Sequence, residues 1–144
     1  MHKFLKNRKG YVMAYVTVLI ATVAIPMLIL SVEIVRAMYV EVQLQAAVDA
    51  ACEAAIQAVD VPFFIDNGVL QIDLDAASAD AQREFNATVI NHDITHYNPS
   101  LSGISLLTST LVQCSSSATM QWFLPGIPAL TLNAYAITQA RVTL

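Results

Sequence analysis

From Tyr11 to Val59 the chain reads YVMAYVTVLIATVAIPMLILSVEIVRAMYVEVQLQAAVDAACEAAIQAV, a single helical pattern with two unlike halves. Tyr11 to Val32 holds no Asp, Glu, Lys, Arg or His. At helical rise a bilayer core takes roughly 20 apolar residues, so this half is long enough to cross one. Past Val32 charges return at Glu33, Arg36, Glu41, Asp49 and Glu53, while Leu44, Val48, Ala51, Ala55 and Val59 keep spacings of four and three. That spacing lays the apolar set along one face of an amphipathic helix. The run QAAVDAACEAAIQA is alanine-rich, which favours helix. Its small side chains also let a sheet or another helix approach closely. Pro62 disfavours helix in the residue before it, so the spine is expected to end near Asp60. Pro26, inside the apolar half, lacks an amide donor and crowds the carbonyl four residues earlier, which predicts a kink.

Beyond the spine, Phe63, Phe64 and Ile65 read as an apolar turn, continued by the turn signal Asp66-Asn67-Gly68. Val69 to Leu74 alternates weakly and predicts a short strand. A second helix, capped by Asp75 or Ser78, runs to about Asn91 and turns Ala81, Phe85, Thr88 and Val89 inward. His92 to Gly103 is rich in Asn, Pro, Ser and Gly and reads as a loop. From Ile104 the segments ISLLTSTLVQC, SSATMQWF and ALTLNAYAITQARVTL are rich in Thr, Val, Leu and aromatics and predict three antiparallel strands. Leu130, Leu132, Ala134, Ala136 and Thr138 share one face of the last strand. The expected fold class is α+β: a long membrane-to-head helix, one short helix, and a small antiparallel sheet of three to four strands packed on the spine. The chain is expected to divide into a basic cytoplasmic leader (1–10), a transmembrane helix (11–32), an amphipathic spine (33–60) and an extracytoplasmic head (61–144).

Length and charge sharpen this picture. The 144 residues suffice for one ordinary domain, and with about a third of them in the spine the rest buries only a modest core of its own. Charged residues make up 12% of the chain, against about 25% in soluble domains, and the mean hydropathy is +0.57. Lys3, Lys6, Arg8 and Lys9 precede the apolar run, whereas every acid follows it. A basic flank stays on the cytoplasmic side, which puts the head outside. An acidic head repels nucleic acid, so that partner class is excluded. The apolar run exceeds the roughly 7–15 residues of a secretory signal core, so a retained anchor is expected.

Chemistry is sparse. The sequence has no Gly-rich phosphate loop, GxSxG, HExxH or CxxC, so neither an enzyme nor a cofactor is expected. His92, Asp93 and His96 fall short of the ligand number of a zinc site and read as a solvated polar loop. Asn86-Ala87-Thr88 fits the glycosylation acceptor pattern but lies within the predicted second helix. Cys52 and Cys114 are the two cysteines, and an extracytoplasmic head permits a bridge between them. Two separate buried thiols fit the sequence equally well. Glu33 and Arg36 are three residues apart where the helix leaves the apolar run, and can pair on one face. Together with Glu41 they are candidate contacts at the membrane exit, reaching either water or a neighbouring subunit. Phe63, Phe64, Trp122 and Phe123 are expected to fill the small core; the alternative is an exposed aromatic patch that captures a ligand.

Lys9-Gly10 ahead of an apolar helix with Pro26, Glu33 at its exit, and Gln43-Leu44-Gln45-Ala46-Ala47-Val48-Asp49-Ala50-Ala51 beyond it resemble the N-terminal region of TadE/TadG-like proteins of the tight-adherence (Flp) pilus system. The ending ALTLNAYAITQAR is similar to the last strand of the TadE-like members. The resemblance covers roughly residues 8 to 60 and, more weakly, the final strand. It implies a pseudopilin or minor-pilin role in building adhesive surface pili, with Gly10-Tyr11 at the place where prepilin peptidase cuts. Tyr15 stands where many pilins carry Glu and has no carboxylate to pair with a new amino terminus. The implied partners are membrane lipid, copies of the chain or other pilins packed along the helix, and the pilus assembly machinery. Ala14, Thr17, Ala21, Thr22 and Ala24, with Pro26 nearby, are small enough for such helix packing. The alternative expectation is a single-pass receptor or adhesin that binds an extracellular ligand through its head.

Overall fold

The computed structural model describes residues 8–123 and 126–140. Lys3, Lys6, Leu124, Pro125 and Arg141 lie outside the described residues, as do the side chains of Arg8 and Lys9. The fold is α+β and falls into two compact units, Met1–Ala37 and Met38–Leu144.

The first unit is helical. Helix α1 spans Arg8–Leu19, a π-helical turn covers Ile20–Ala24, and α2 follows directly over Ile25–Ala55. The expected disturbance at Pro26 takes the form of this π turn. The Ile25 amide bonds to the Ile20 carbonyl, five residues back. The inserted residue resets the ladder immediately before a ring that would crowd the carbonyl of Thr22. Thr17, Thr22 and Ser31 turn their hydroxyls onto the carbonyls of Met13, Val18 and Met27, at 2.9, 2.8 and 2.9 Å. No hydroxyl of these three is therefore left without a partner on the helix surface.

The second unit is the head. Its core begins on α2, where Val40, Leu44, Ala47, Val48, Ala51, Cys52 and Ala55 are buried. The expected spine face is thus correct through Ala55, but the spine stops there rather than near Asp60. The Gln57 and Ala58 amides tighten onto the carbonyls three residues back. Val59 then leaves the helix to bridge Ile72, and the pairing is closed by Asp60 N–H to Gln71 O and Asp73 N–H to Ala58 O, both 2.9 Å. The strand expected over Val69–Leu74 is reduced to this single bridge. Pro62 does not end the spine; it starts a new helix.

That helix, α3 (Val61–Asn67), replaces the expected apolar turn. Asp60 caps it by accepting from the Phe63 amide at 3.0 Å, and proline sits in its first turn, where no donor is required. Gly68 closes it at φ 66°, a left-handed conformation natural to glycine. Helix α4 (Leu74–Asn91) is capped by Asp73, not by Asp75 or Ser78, its carboxylate accepting from the Asp75 and Ala76 amides. Ala77, Ala81, Phe85 and Val89 recur every four residues on its buried face, while Thr88 is only half-buried.

A 3₁₀ turn (Thr95–Tyr97) leads into a three-stranded antiparallel sheet, ordered β1 (Ser100–Thr108), β2 (Leu111–Met120), β3 (Leu130–Gln139). The expected loop therefore ends at Ser100, not Gly103. The first hairpin turns at Ser109-Thr110, inside a segment that read as one strand, and no break falls at Cys114-Ser115. A register shift between Leu101 and Gly103 lets Leu101 and Ile104, three apart, both tuck partly inward. Along central β2, Val112, Cys114, Ser116, Ala118 and Met120 alternate into the core. The face predicted for β3 is observed: Ala134 and Ala136 are buried, and Leu130, Leu132 and Thr138 are half-buried.

Candidate functional site

The helical run Gly10–Ala55 is long and apolar enough to cross a membrane. What separates it from the core helix of a soluble domain is exposure. Its most apolar 18-residue window is only 6% buried. Tyr11 is 83% exposed, and Val12, Met13, Tyr15, Val18, Met27, Leu28 and Val32 are likewise exposed. Single exposed apolar residues are unremarkable, but a contiguous helical sleeve of them marks contact with lipid or protein. Tyr11 to Val32 spans about 33 Å at helical rise, close to the hydrocarbon thickness of a bilayer. Backbone groups inside a helix are satisfied internally, as that environment requires. Gly10 and Tyr11 lie within α1, exposed. Ala14, Thr17 and Ala21 form an exposed stripe of small residues at spacings of three and four, and Pro26 is exposed as well.

Glu33 departs from this pattern. It is 0% exposed, and among the described residues neither carboxylate oxygen accepts a hydrogen bond. Arg36 Nη1 stands 3.5 Å from Glu33 Oε1, so the expected pair forms within the chain. Of the two roles open to Glu33 at the sequence level, burial rules out a carboxylate reaching into water. Glu41 is exposed.

In the head, the cysteines expected to lie on spine and sheet come together. Cys52 Sγ sits 3.6 Å from both the Val112 and Ala136 carbonyl oxygens. Ala136 lies directly opposite Cys114 in the ladder, and Val112 precedes Cys114 by two residues on the same face. Both thiols are free and buried. The hydrogen bond from Cys114 lowers the Cys52 thiol to about 7, against the opposing effect of burial, and a bond from Thr138 adds to it. The Cys114 thiol is raised strongly, first by that shared bond and then by burial.

Gln45 is a positioning residue that the sequence reading did not single out, although it lies inside the Gln43–Ala51 motif. Its amide donates to the Tyr135 carbonyl at 3.0 Å and to Asp49 Oδ1 at 2.9 Å, tying α2 to the β3 backbone. The motif therefore has a structural meaning. Leu44, Ala47, Val48 and Ala51 pack inward, while Gln45 and Asp49 fasten the flank.

The aromatics expected to fill the core do not. Phe63, Phe64 and Phe123 are exposed, the last at 74%, and Trp122 is half-buried. The core takes Phe85 and Tyr97 instead. Nor do the four make one patch. Asp60, which caps α3, bonds to Gln71, and neighbouring Ile72 bonds to Ser109 at the β1–β2 hairpin. Trp122 and Phe123 follow Met120 at the far end of β2. Ten residues of strand separate the two ends, about 30 Å.

His92 and His96 do not share a helix face, because α4 ends at Asn91 and Asp93 enters the left-handed region at φ 54°. Among the described residues no three His, Cys, Asp or Glu converge as metal ligands. A cleft of about 500 Å³ between the start of α4 and β1 is lined by Leu74, Asp75, Ser78, Gln82, Leu101 and Ile104. Ser78 there donates its hydroxyl to the Asp75 backbone carbonyl at 2.9 Å. Comparisons with protein-family models, curated proteins and solved structures find no match to this chain.

Proposed function

We propose that the chain is a membrane-anchored, pilin-like structural subunit of a surface filament. Its N-terminus would lie in the cytoplasm and its head outside, with no catalytic role. The observation that carries this reading is the division of labour along one helical run. Its first part exposes an apolar sleeve from Tyr11 to Val32, and its later part supplies the buried face from Val40 to Ala55. An anchor joined by a flexible tether would need no such sharing. A subunit that transmits load from helix to head benefits from it. The exposed stripe of Ala14, Thr17 and Ala21 allows close backbone approach by copies of the same helix or by other pilins. Lys3 and Lys6 ahead of the run favour the cytoplasmic N-terminus. The resemblance of the Lys9-Gly10 and Gln43–Ala51 segments to TadE/TadG-like pseudopilins points the same way, with cleavage expected between Gly10 and Tyr11.

Mass spectrometry of material sheared from the cell surface tests this. Recovery of the chain beginning at Tyr11 supports both filament incorporation and processing. A chain found solely in the membrane fraction, with Lys3 and Lys6 still present, refutes the filament reading. A second reading, a single-pass receptor or adhesin, gains from one observation: α3 leaves Val61, Phe63, Phe64 and Ile65 exposed on the head. Ligand capture lost on Phe64→Ser, by a chain that stays monomeric in detergent, would favour it.

A further inference from the structure

We infer that Cys52 and Cys114 form an intramolecular disulfide that clamps the spine helix to the central strand of the sheet. That it forms in the cell rests on the extracytoplasmic head proposed above; that it forms at all rests on geometry alone. Cys52 lies on α2, with its sulfur 3.6 Å from two backbone carbonyls that flank Cys114, one along β2 and one across the ladder on β3. Cys114 points to the same face of the sheet, between buried Val112 and Ser116. Helix and sheet meet here through small side chains, Ala51 and Ala55 on one side and Ala118, Ala134 and Ala136 on the other. Small side chains on both elements leave the two sulfurs room to meet.

The chemistry is thiol–disulfide exchange with a disulfide-bearing oxidant, R–S–S–R. The Cys52 thiolate attacks one sulfur of the oxidant, and the released RS⁻ takes up a proton. The Cys114 thiol then gives up its proton and attacks Cys52 Sγ in the mixed disulfide, expelling the second RSH. The pair loses two hydrogens in all, and the oxidant is reduced to two thiols. Because both sulfurs are buried, exchange takes place while α2 and the sheet are still docking. The closed loop of about 60 residues contains α3, α4, β1 and the turn into β2, a length at which a cross-link strongly restricts the unfolded chain. Force on α2 would then load a covalent bond to β2 in place of a seam of alanines.

The test uses the full-length chain. Refolded in detergent micelles with oxidised glutathione, it is alkylated, digested with trypsin and mapped without reduction. Cleavage after Arg36, Arg83 and Arg141 leaves the two cysteines on separate peptides, 37–83 and 84–141. The expected result is one cross-linked pair of these peptides in monomeric protein, lost on reduction and absent from Cys52→Ser and from Cys114→Ser. Two alkylated cysteines, glutathione adducts alone, or links between chains in the wild-type protein overturn the proposal, whatever becomes of the variants. In parallel, cells are quenched with acid and alkylated. A pair linked in micelles and reduced in cells refutes the cellular clamp by way of topology, since the geometry would then have passed its own test.

Discussion

The claim that α2 builds the head with one face and leaves the other free can be tested two residues apart. Leu44 is 0% exposed and Val42 is 64% exposed on the same helix. Leu44→Ala removes three carbons from the core, a transfer loss of about 2.4 kcal/mol at ~0.8 per methylene. If neighbours collapse only partly, a residual void of ~60–80 Å³ adds about 1.5–2 kcal/mol. The expected cost is about 2.5–4.5 kcal/mol, a large share of the ~5–15 available to a domain of this size. Val42→Ala removes exposed carbons and gains about 0.5 kcal/mol of helix propensity, so it should fall within ~0.5 kcal/mol of wild type. The measurement is urea unfolding of the full chain in micelles, read by fluorescence of its single tryptophan, Trp122, which reports on the head and not on the micelle-embedded helix. For an m-value of about 1.5 kcal/mol/M, Leu44→Ala should lower the midpoint by ~2 M and Val42→Ala by almost nothing. Equal shifts from the two variants would refute the assignment of the buried face and, with it, the sharing of one helix between anchor and head.

Three further outcomes follow from single sites. Asp73→Ala leaves the Asp75 and Ala76 amides without their cap and should cost about 1 kcal/mol in the same titration, with Asp73→Asn costing less. Arg36→Ala should be worse than Glu33→Leu, by roughly 3 kcal/mol in thermal unfolding. The first strands a fully buried carboxylate, whereas the second removes that carboxylate altogether. In the reduced chain, ultraviolet titration should show one thiolate per molecule appearing at about pH 7 and the second held back to much higher pH. Because the folded state then binds fewer protons than the unfolded state between about 7 and the ordinary thiol value of 9.0, stability should rise with pH across that window and fall as pH drops through 7, a trend that Cys52→Ser abolishes.

Periodicity alone was enough for the parts of this protein whose burial is one-sided and long. The uncharged run to Val32, the Leu44–Ala55 face, the four-residue repeat of Ala81, Phe85 and Val89, and the alternating Leu130–Thr138 face each repeat a strong choice over several turns or pleats. Short-range contests were settled by contacts from elsewhere in the chain. Val59 had a helical neighbour set, yet the bridge to Ile72 drew it out of the spine, so Asp60-Val61-Pro62 became the start of α3. The Ser109-Thr110 turn carries no Asn-Gly or proline signal, and the Ser109 carbonyl meets the Ile72 amide, a partner 37 positions away in the chain. The fate of the aromatics was likewise unreadable. Phe85 is buried and Phe63, Phe64 and Phe123 are exposed because alanine-lined helix and sheet faces already close the core, leaving little room for more rings. The cysteines state the difference most plainly. Their residue types were legible along the chain, but adjacency is a property of how α2 lies on β2. One-dimensional order fixes the faces that elements present, and only the packing of those faces decides which residues meet.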